Sequence, residues 1–254
     1  MIPGIFVTGT GTDVGKTVVA AGVLRLLRRR GEAAMAMKPV QTGCEADSQG
    51  RMRAPDLDFV LRAAGLTGDV DEETRTHLAP YCFAPACSPH LAARMAGLRI
   101  ELDKILASAQ WLAARYPSLV VEGAGGLMVP LNESQSMLDL AWSLRMPVLL
   151  VGHSGLGAIN HVLLSLEALH RRGCAVLGVV LNDTHPVEAR DSYIHEDNVH
   201  AIESFGKINV TRIPFLRHAP GAPLNMEVLN MEALDASLEP CGFLREHRAG
   251  VAGL

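Results

Sequence analysis

The stretch that decides the fold is GIFVTGTGTDVGKTVVAAGVLRLLRRRG, residues 4–31. Residues 4–9 read as a short buried strand, and a glycine-rich turn follows. From Lys16 onward Val19, Val23, Leu26 and Leu27 recur at the spacing of one buried helix face. Arg28, Arg29 and Arg30 gather where the helix dipole favours cations, and Gly31 ends the helix. A strand, a glycine loop and a helix N-terminus together form the setting in which backbone N–H groups cradle phosphate. The spacing departs from the usual loop, which has Gly, four residues, then Gly-Lys-Ser/Thr. Counting back from Gly15 meets Thr10, and the nearest glycine is Gly9. Two readings stand: a phosphate loop with one extra residue, or a glycine turn with an incidental lysine. The strand before it and the amphipathic helix after it favour the first.

Outward from this stretch, composition narrows the class. Of 254 residues, 48% are hydrophobic and 20% charged, which supports a large core and argues against disorder. The net charge of −4 and the lack of a basic run interleaved with aromatics argue against nucleic acid as a partner. No apolar run reaches the length of a membrane span, and no basic segment followed by an apolar one marks a signal peptide. The five cysteines are odd in number and irregular in spacing, as expected of reduced thiols in the cytoplasm. Cys82 and Cys87 have no second pair to complete a metal site.

Strand and helix patterns alternate along the chain. AAMAMKPV is a short buried strand stopped by Pro39, and a polar loop leads to a helix near 56–64. Ser88 and Pro89 read as the cap and first turn of another helix, and a third spans about 101–115. SLVVEGAGG runs from strand into glycine turn. A further strand, glycine loop and helix follow, with Ile159, Val162, Leu163 and Leu166 as the buried face. CAVLGVVLND and INVTRIPFL supply two more strands. The pattern predicts a single α/β domain of P-loop type, a parallel sheet with helices on both faces. Residues 1–220 are expected to form the catalytic domain. Residues 221–254 are expected to be a tail packed on it, disordered at its extreme end.

Ligands of an open parallel sheet bind beyond the carboxyl ends of its strands, and reactive side chains converge there. Lys16 would neutralise β- and γ-phosphates, and the Thr17 hydroxyl would bind Mg²⁺. Lys38 ends an apolar strand, where an unpaired ammonium is costly to bury; the chain has only four lysines. A snorkelling lysine is the bland alternative. Glu122 ends LVVEG, with Gly123, Gly125 and Gly126 beside it. Asp56 or Asp58 would supply a second carboxylate for a divalent ion, although Asp56 also suits a helix cap. Gly155 and Gly157 precede a second helix N-terminus, where Asn160 and His161 lie in the first turn. No zinc-binding histidine motif and no Gly-x-Ser-x-Gly elbow occurs.

The ordered set FVTGTGTDVGKT, KPVQTG, SPH, VEGAGG, GLGAINH, LND and IPFL, across residues 4–217, resembles the dethiobiotin synthetase family. The family's loop has five residues between glycine and Gly-Lys-Thr, as here. The resemblance implies an ATP- and Mg²⁺-dependent cyclo-ligase of biotin biosynthesis. It would convert 7,8-diaminopelargonate and CO₂ to dethiobiotin through a carbamic-phosphoric anhydride. Lys16 and Lys38 would be catalytic, and Thr17, Asp56 and Glu122 would hold Mg²⁺. ATP would contact Asp13, Val14, Gly15, Lys16, Thr17 and Val18, then Asp56, Glu122, Gly123, Ala124 and Gly125. Its adenine would lie against Asn182, Asp183, Pro214, Phe215 and Leu216. Thr12 and Thr42 would meet the carbamate, and Gly157, Ala158, Ile159 and Asn160 the distal carboxylate, across a homodimer interface. The alternative is a regulatory P-loop ATPase of the partitioning and amidase superfamily, although the extra loop lysine of the partitioning ATPases is missing.

Overall fold

The computed structural model describes residues 2–68, 70–216 and 229–240. The chain runs β1 (Gly4–Gly9), α1 (Lys16–Arg29), β2 (Ala34–Met37), β3 (Val40–Thr42), β4 (Glu45–Ala46) and β5 (Met52–Arg53). Next come α2 (Pro55–Ala63), α3 (Glu72–Leu78), β6 (Tyr81–Phe83), α4 (Pro89–Met95), α5 (Leu102–Ala113) and β7 (Ser118–Gly126). It continues through α6 (Met137–Leu144), β8 (Val148–His153), α7 (Ala158–Arg172) and β9 (Val176–Asn182). The last elements are α8 (Ser192–Gly206), β10 (Val210–Ile213) and α9 (Met231–Leu238).

Six strands form one parallel sheet in the order β10-β9-β8-β1-β7-β2. β1 lies inside it, paired with β7 through Val7–Glu122 and with β8 through Phe6–Val148. Its six residues are all buried, as a strand covered on both faces must be. Alternation along the strands shows the two faces. Leu149 and Val151 of β8 and Val180 of β9 join the larger apolar cluster, with α1, α2, α5 and α6. Leu150, Val179 and Leu181 point the other way, onto Val162 and Leu166 of α7 and Ile202 of α8. Helices therefore cover both faces. Among the described residues, no helix is long and apolar enough to cross a membrane.

Some local expectations needed correction. Asp56 does not cap α2; Ala54 holds that position and Asp56 sits in the first turn. Ser88 stands at the N-cap of α4 but its side chain makes no capping bond. On α7 the buried residues are Ala158, Val162, Leu166 and Leu169, whereas Ile159 and Leu163 are only half-buried. In the C-terminal segment α9 docks on α1. Gly22 leaves room for Leu234 and Leu238, since a Cβ there would lie 2.6 Å from Leu238 Cδ1. Asp235, 3% exposed, receives Arg25 at 2.9 Å and Arg29 at 2.8 Å. The disorder expected at the extreme C-terminus falls on residues outside those described.

Candidate active site

The turn between β1 and α1 is held from two sides. The Thr10 amide donates to the Val151 carbonyl at 2.8 Å, tying the turn to β8. Asn182 Nδ2, at the end of β9, donates to the Val14 carbonyl at 3.2 Å. Gly15 precedes α1 with φ of 96°, and a Cβ there would lie 2.1 Å from Asn182 Nδ2. Only glycine meets both demands at once. No acidic residue lies in the first turn of α1, so its N–H groups face the cavity with their positive end uncompensated.

Lys16 is 7% exposed, and its Nζ donates to the Gly11 carbonyl at 2.6 Å. Burial, reinforced by the nearby Lys38 charge, lowers its pKa to about 8. Lys38 follows β2, its amide fixed by the Leu78 carbonyl at the end of α3 at 2.7 Å. Its Nζ lies 2.6 Å from Glu122 Oε1 and 2.7 Å from Asp56 Oδ2. Burial alone would depress this ammonium, but the two carboxylates outweigh it and raise its pKa. Asp56 shows the converse: burial raises its carboxyl, and Lys38 more than reverses that. The snorkelling alternative for Lys38 is set aside, because the side chain is buried and paired. Thr17 Oγ1 donates to the same Glu122 Oε1 at 2.8 Å. Glu122 reaches this point because its strand pairs in register with Val7 of β1.

These groups open into a cavity of about 970 Å³. Of the residues singled out in the sequence, Thr12, Asp13, Gly15, Lys16, Thr17, Val18, Lys38, Thr42 and Asp56 line it. So do Glu122, Ala124, Gly125, Asn182, Asp183, Phe215 and Leu216. Val14, Gly123, Pro214 and the Gly157–Ala158–Ile159–Asn160 helix start are not among its lining residues. Of the two aspartates, Asp56 lines the cavity, whereas Asp58 does not line it and pairs with Arg75. Asp183 lines the cavity with its carboxylate already engaged: Arg212 donates at 3.1 and 2.8 Å, and Ser154 donates to it as well.

Several lining residues were missed in the sequence. Phe59 and Arg62 face the cavity from α2; Phe59, three residues past Asp56, is its neighbour on the helix surface, and Arg62 is three past Phe59. Gln41, inside KPVQTG, donates through Nε2 to Asp56 Oδ2 at 3.2 Å. Leu229 comes from the C-terminal segment, and no local pattern announces it. Thr17, Asp56 and Glu122 are hard oxygen donors on one wall, a set that suits Mg²⁺, which takes its remaining ligands from phosphate and water.

A family model described as an AAA domain matches residues 3–219. The ATP-dependent dethiobiotin synthetase BioD of Anaeromyxobacter sp. (strain K) is 43% identical over 187 residues, covering 72% of this chain and 78% of that protein. This chain belongs to the dethiobiotin synthetase family. Its relative of the same name in Pseudomonas aeruginosa (strain UCBPP-PA14) is 39% identical over 222 residues, covering 87% of the chain and 93% of that protein. Among solved structures, the Pyrococcus furiosus cell division ATPase MinD superposes with a TM-score of 0.53 at 17% identity. That match covers 94% of this chain and 99% of MinD. The MinC:MinD complex of Aquifex aeolicus gives 0.55 at 12%, covering 99% and 97%. At such identities the likeness is one of fold. The cavity of this chain is thus built on the same kind of α/β frame as those proteins.

Proposed function

We propose that the chain is an ATP-dependent dethiobiotin synthetase, joining 7,8-diaminopelargonate and CO₂ into the ureido ring of dethiobiotin. The observation that carries this is the meeting of Lys16, Thr17, Lys38, Asp56 and Glu122 on one cavity, in a chain 43% identical to an enzyme of that name. The triphosphate lies over the loop, and its oxygens replace the Gly11 carbonyl as the partner of Lys16. The adenine lies between Asn182 and the Phe215–Leu216 segment. Thr17, Asp56 and Glu122 would hold Mg²⁺, which when bound would neutralise phosphate charge.

One amine of the substrate takes up CO₂ as a carbamate, held by Thr12 and Thr42. A carbamate oxygen attacks the γ-phosphorus, ADP leaves, and a carbamic-phosphoric anhydride results. The second amine then attacks the carbonyl carbon, phosphate departs, and the ring closes. Lys38 stays protonated because two carboxylates hold its charge, so it acts as a fixed cation beside the transferring group and not as a base. Transfer of this kind needs alignment and positive charge more than a protein base.

A second copy completes the site in this reading. Gly157–Asn160 is separate from the cavity of its own chain, and Leu156 beside it is 88% exposed. In a homodimer this helix start receives the distal carboxylate of the partner's substrate. The catalytic unit is the domain expected over residues 1–220, and the enzyme works in the cytoplasm. Purified protein given ATP, Mg²⁺, bicarbonate and the diamine should release phosphate. Release of equal size without the diamine would instead mark a switch ATPase and sink the proposal.

A further inference from the structure

β3 and β6 form a small parallel pair, with Gln41 opposite Cys82 and Thr42 opposite Phe83. Past Thr42 the chain turns, and the Cys44 amide donates to the Phe83 carbonyl at 2.9 Å. The Cys44 side chain folds back, placing Sγ 3.6 Å from the carbonyl of Gln41, the residue opposite Cys82. The register thus brings the two free thiols together as interacting neighbours, with Cys82 Sγ donating to the Ala79 carbonyl at 3.8 Å. Their accessibility differs. Cys44 is buried, whereas Cys82 is half-buried and lines a second cavity of about 640 Å³. Arg75 and Trp111 also line it, and it shares no lining residue with the nucleotide cavity.

We propose that Cys44 and Cys82 are a thiol–disulfide exchange site, closed by a low-molecular-weight disulfide such as oxidised glutathione entering the second cavity. The roles of the two sulfurs follow from their surroundings. Cys82 lines the second cavity and is the sulfur an incoming disulfide meets first; the neighbouring Cys44 and the Arg75 charge lower its pKa against burial and the Asp58 charge. Cys44 is buried behind it, and the neighbouring Cys82 and burial both push its pKa up. The Cys82 thiolate attacks one sulfur of oxidised glutathione, the glutathione S–S bond breaks, and one glutathione thiolate leaves. Cys44, losing its proton, then attacks the Cys82 sulfur and expels the second glutathione. Two protein thiols are oxidised and one glutathione disulfide is reduced to two thiols. Such a bond in a reducing compartment is reversible, unlike a structural disulfide. None of this depends on the proposed reaction.

The test incubates the folded chain with oxidised glutathione and follows its intact mass and peptide map. The expected product has lost two hydrogens, carries no glutathione, and maps to Cys44–Cys82; dithiothreitol restores the starting mass. Cys44→Ser should halt at a glutathione adduct on Cys82, because the resolving sulfur is gone. Cys82→Ser should leave Cys44 unmodified. Glutathione retained on Cys82 in the unmutated chain, a disulfide between any other pair, or no change in mass each overturns the proposal.

Discussion

Lys16 titrates in an accessible range because its ammonium is buried with one carbonyl for company. Its folded pKa of about 8 lies below the ordinary 10.5, so between those values the unfolded chain binds more protons. This group's contribution to stability therefore rises with pH, from none below about 8 to its full value above 10.5. A triphosphate restores the charge, so nucleotide binding at pH 8 should take up about half a proton. Calorimetry in buffers of different ionisation enthalpy measures that uptake; none at pH 8, or the same in Lys16→Gln, contradicts the burial argument. Lys38 gives the contrasting case. Lys38→Gln removes the cation between Glu122 and Asp56, and turnover should fall roughly 10²–10³-fold, with nucleotide affinity nearly kept. Near-normal turnover in that variant would remove Lys38 from the chemistry. Both lysines were legible in the sequence because each ends an apolar strand or glycine loop. Asp56 was ambiguous there, since helix-cap and ligand readings share one residue type, and the two carboxylates differ only in their folded surroundings, Asp56 against Lys38 and Asp58 against Arg75.

Elements buried on both faces were the easily read ones. β1, β7, β8 and β9 are near-continuous apolar runs, and α1 repeats Val19, Val23, Leu26 and Leu27 on one side. What stayed hidden has little to bury. α3 covers only Thr74 and Leu78, and α8 only Asn198 and Ile202 along fifteen residues. Their sequences therefore show no clear apolar face and announced no helix, although α3 supplies the carbonyl that fixes Lys38. α9 was obscured differently: Leu234 and Leu238 have helical spacing, but buried Asp235 between them breaks the pattern. That aspartate is intelligible only beside Arg25 and Arg29 of α1. Asp235→Ala should cost about 1–3 kcal/mol, less than a fully buried pair, because both guanidinium groups can reach water. Gly22→Val should separate the same two helices by crowding Leu238. Urea denaturation of the double variant should then show less than the sum of the single effects. Full additivity would mean that α9 is held elsewhere.

At the scale of the whole molecule, the proposed assembly is open to complementation. Asn160→Glu places a like charge where the distal carboxylate is received, and Lys38→Gln disables the other half of the site. Each alone should be nearly inactive. Mixed after dissociation and reassociation, half the dimers are hybrids with one intact site in two, so about a quarter of the activity should return. No recovery, or a chain monomeric by light scattering, would refute a shared site. The central position of β1 has a different consequence, one of timing. β1 leaves the ribosome well before its neighbours β7 and β8, which are made more than a hundred residues later, and the Thr10 amide waits for the Val151 carbonyl. A nascent chain cannot close its phosphate loop until the second half of the sheet has been synthesised. An apolar strand thus stays exposed for much of translation, and chaperone capture of stalled chains should end once residues past Val151 emerge.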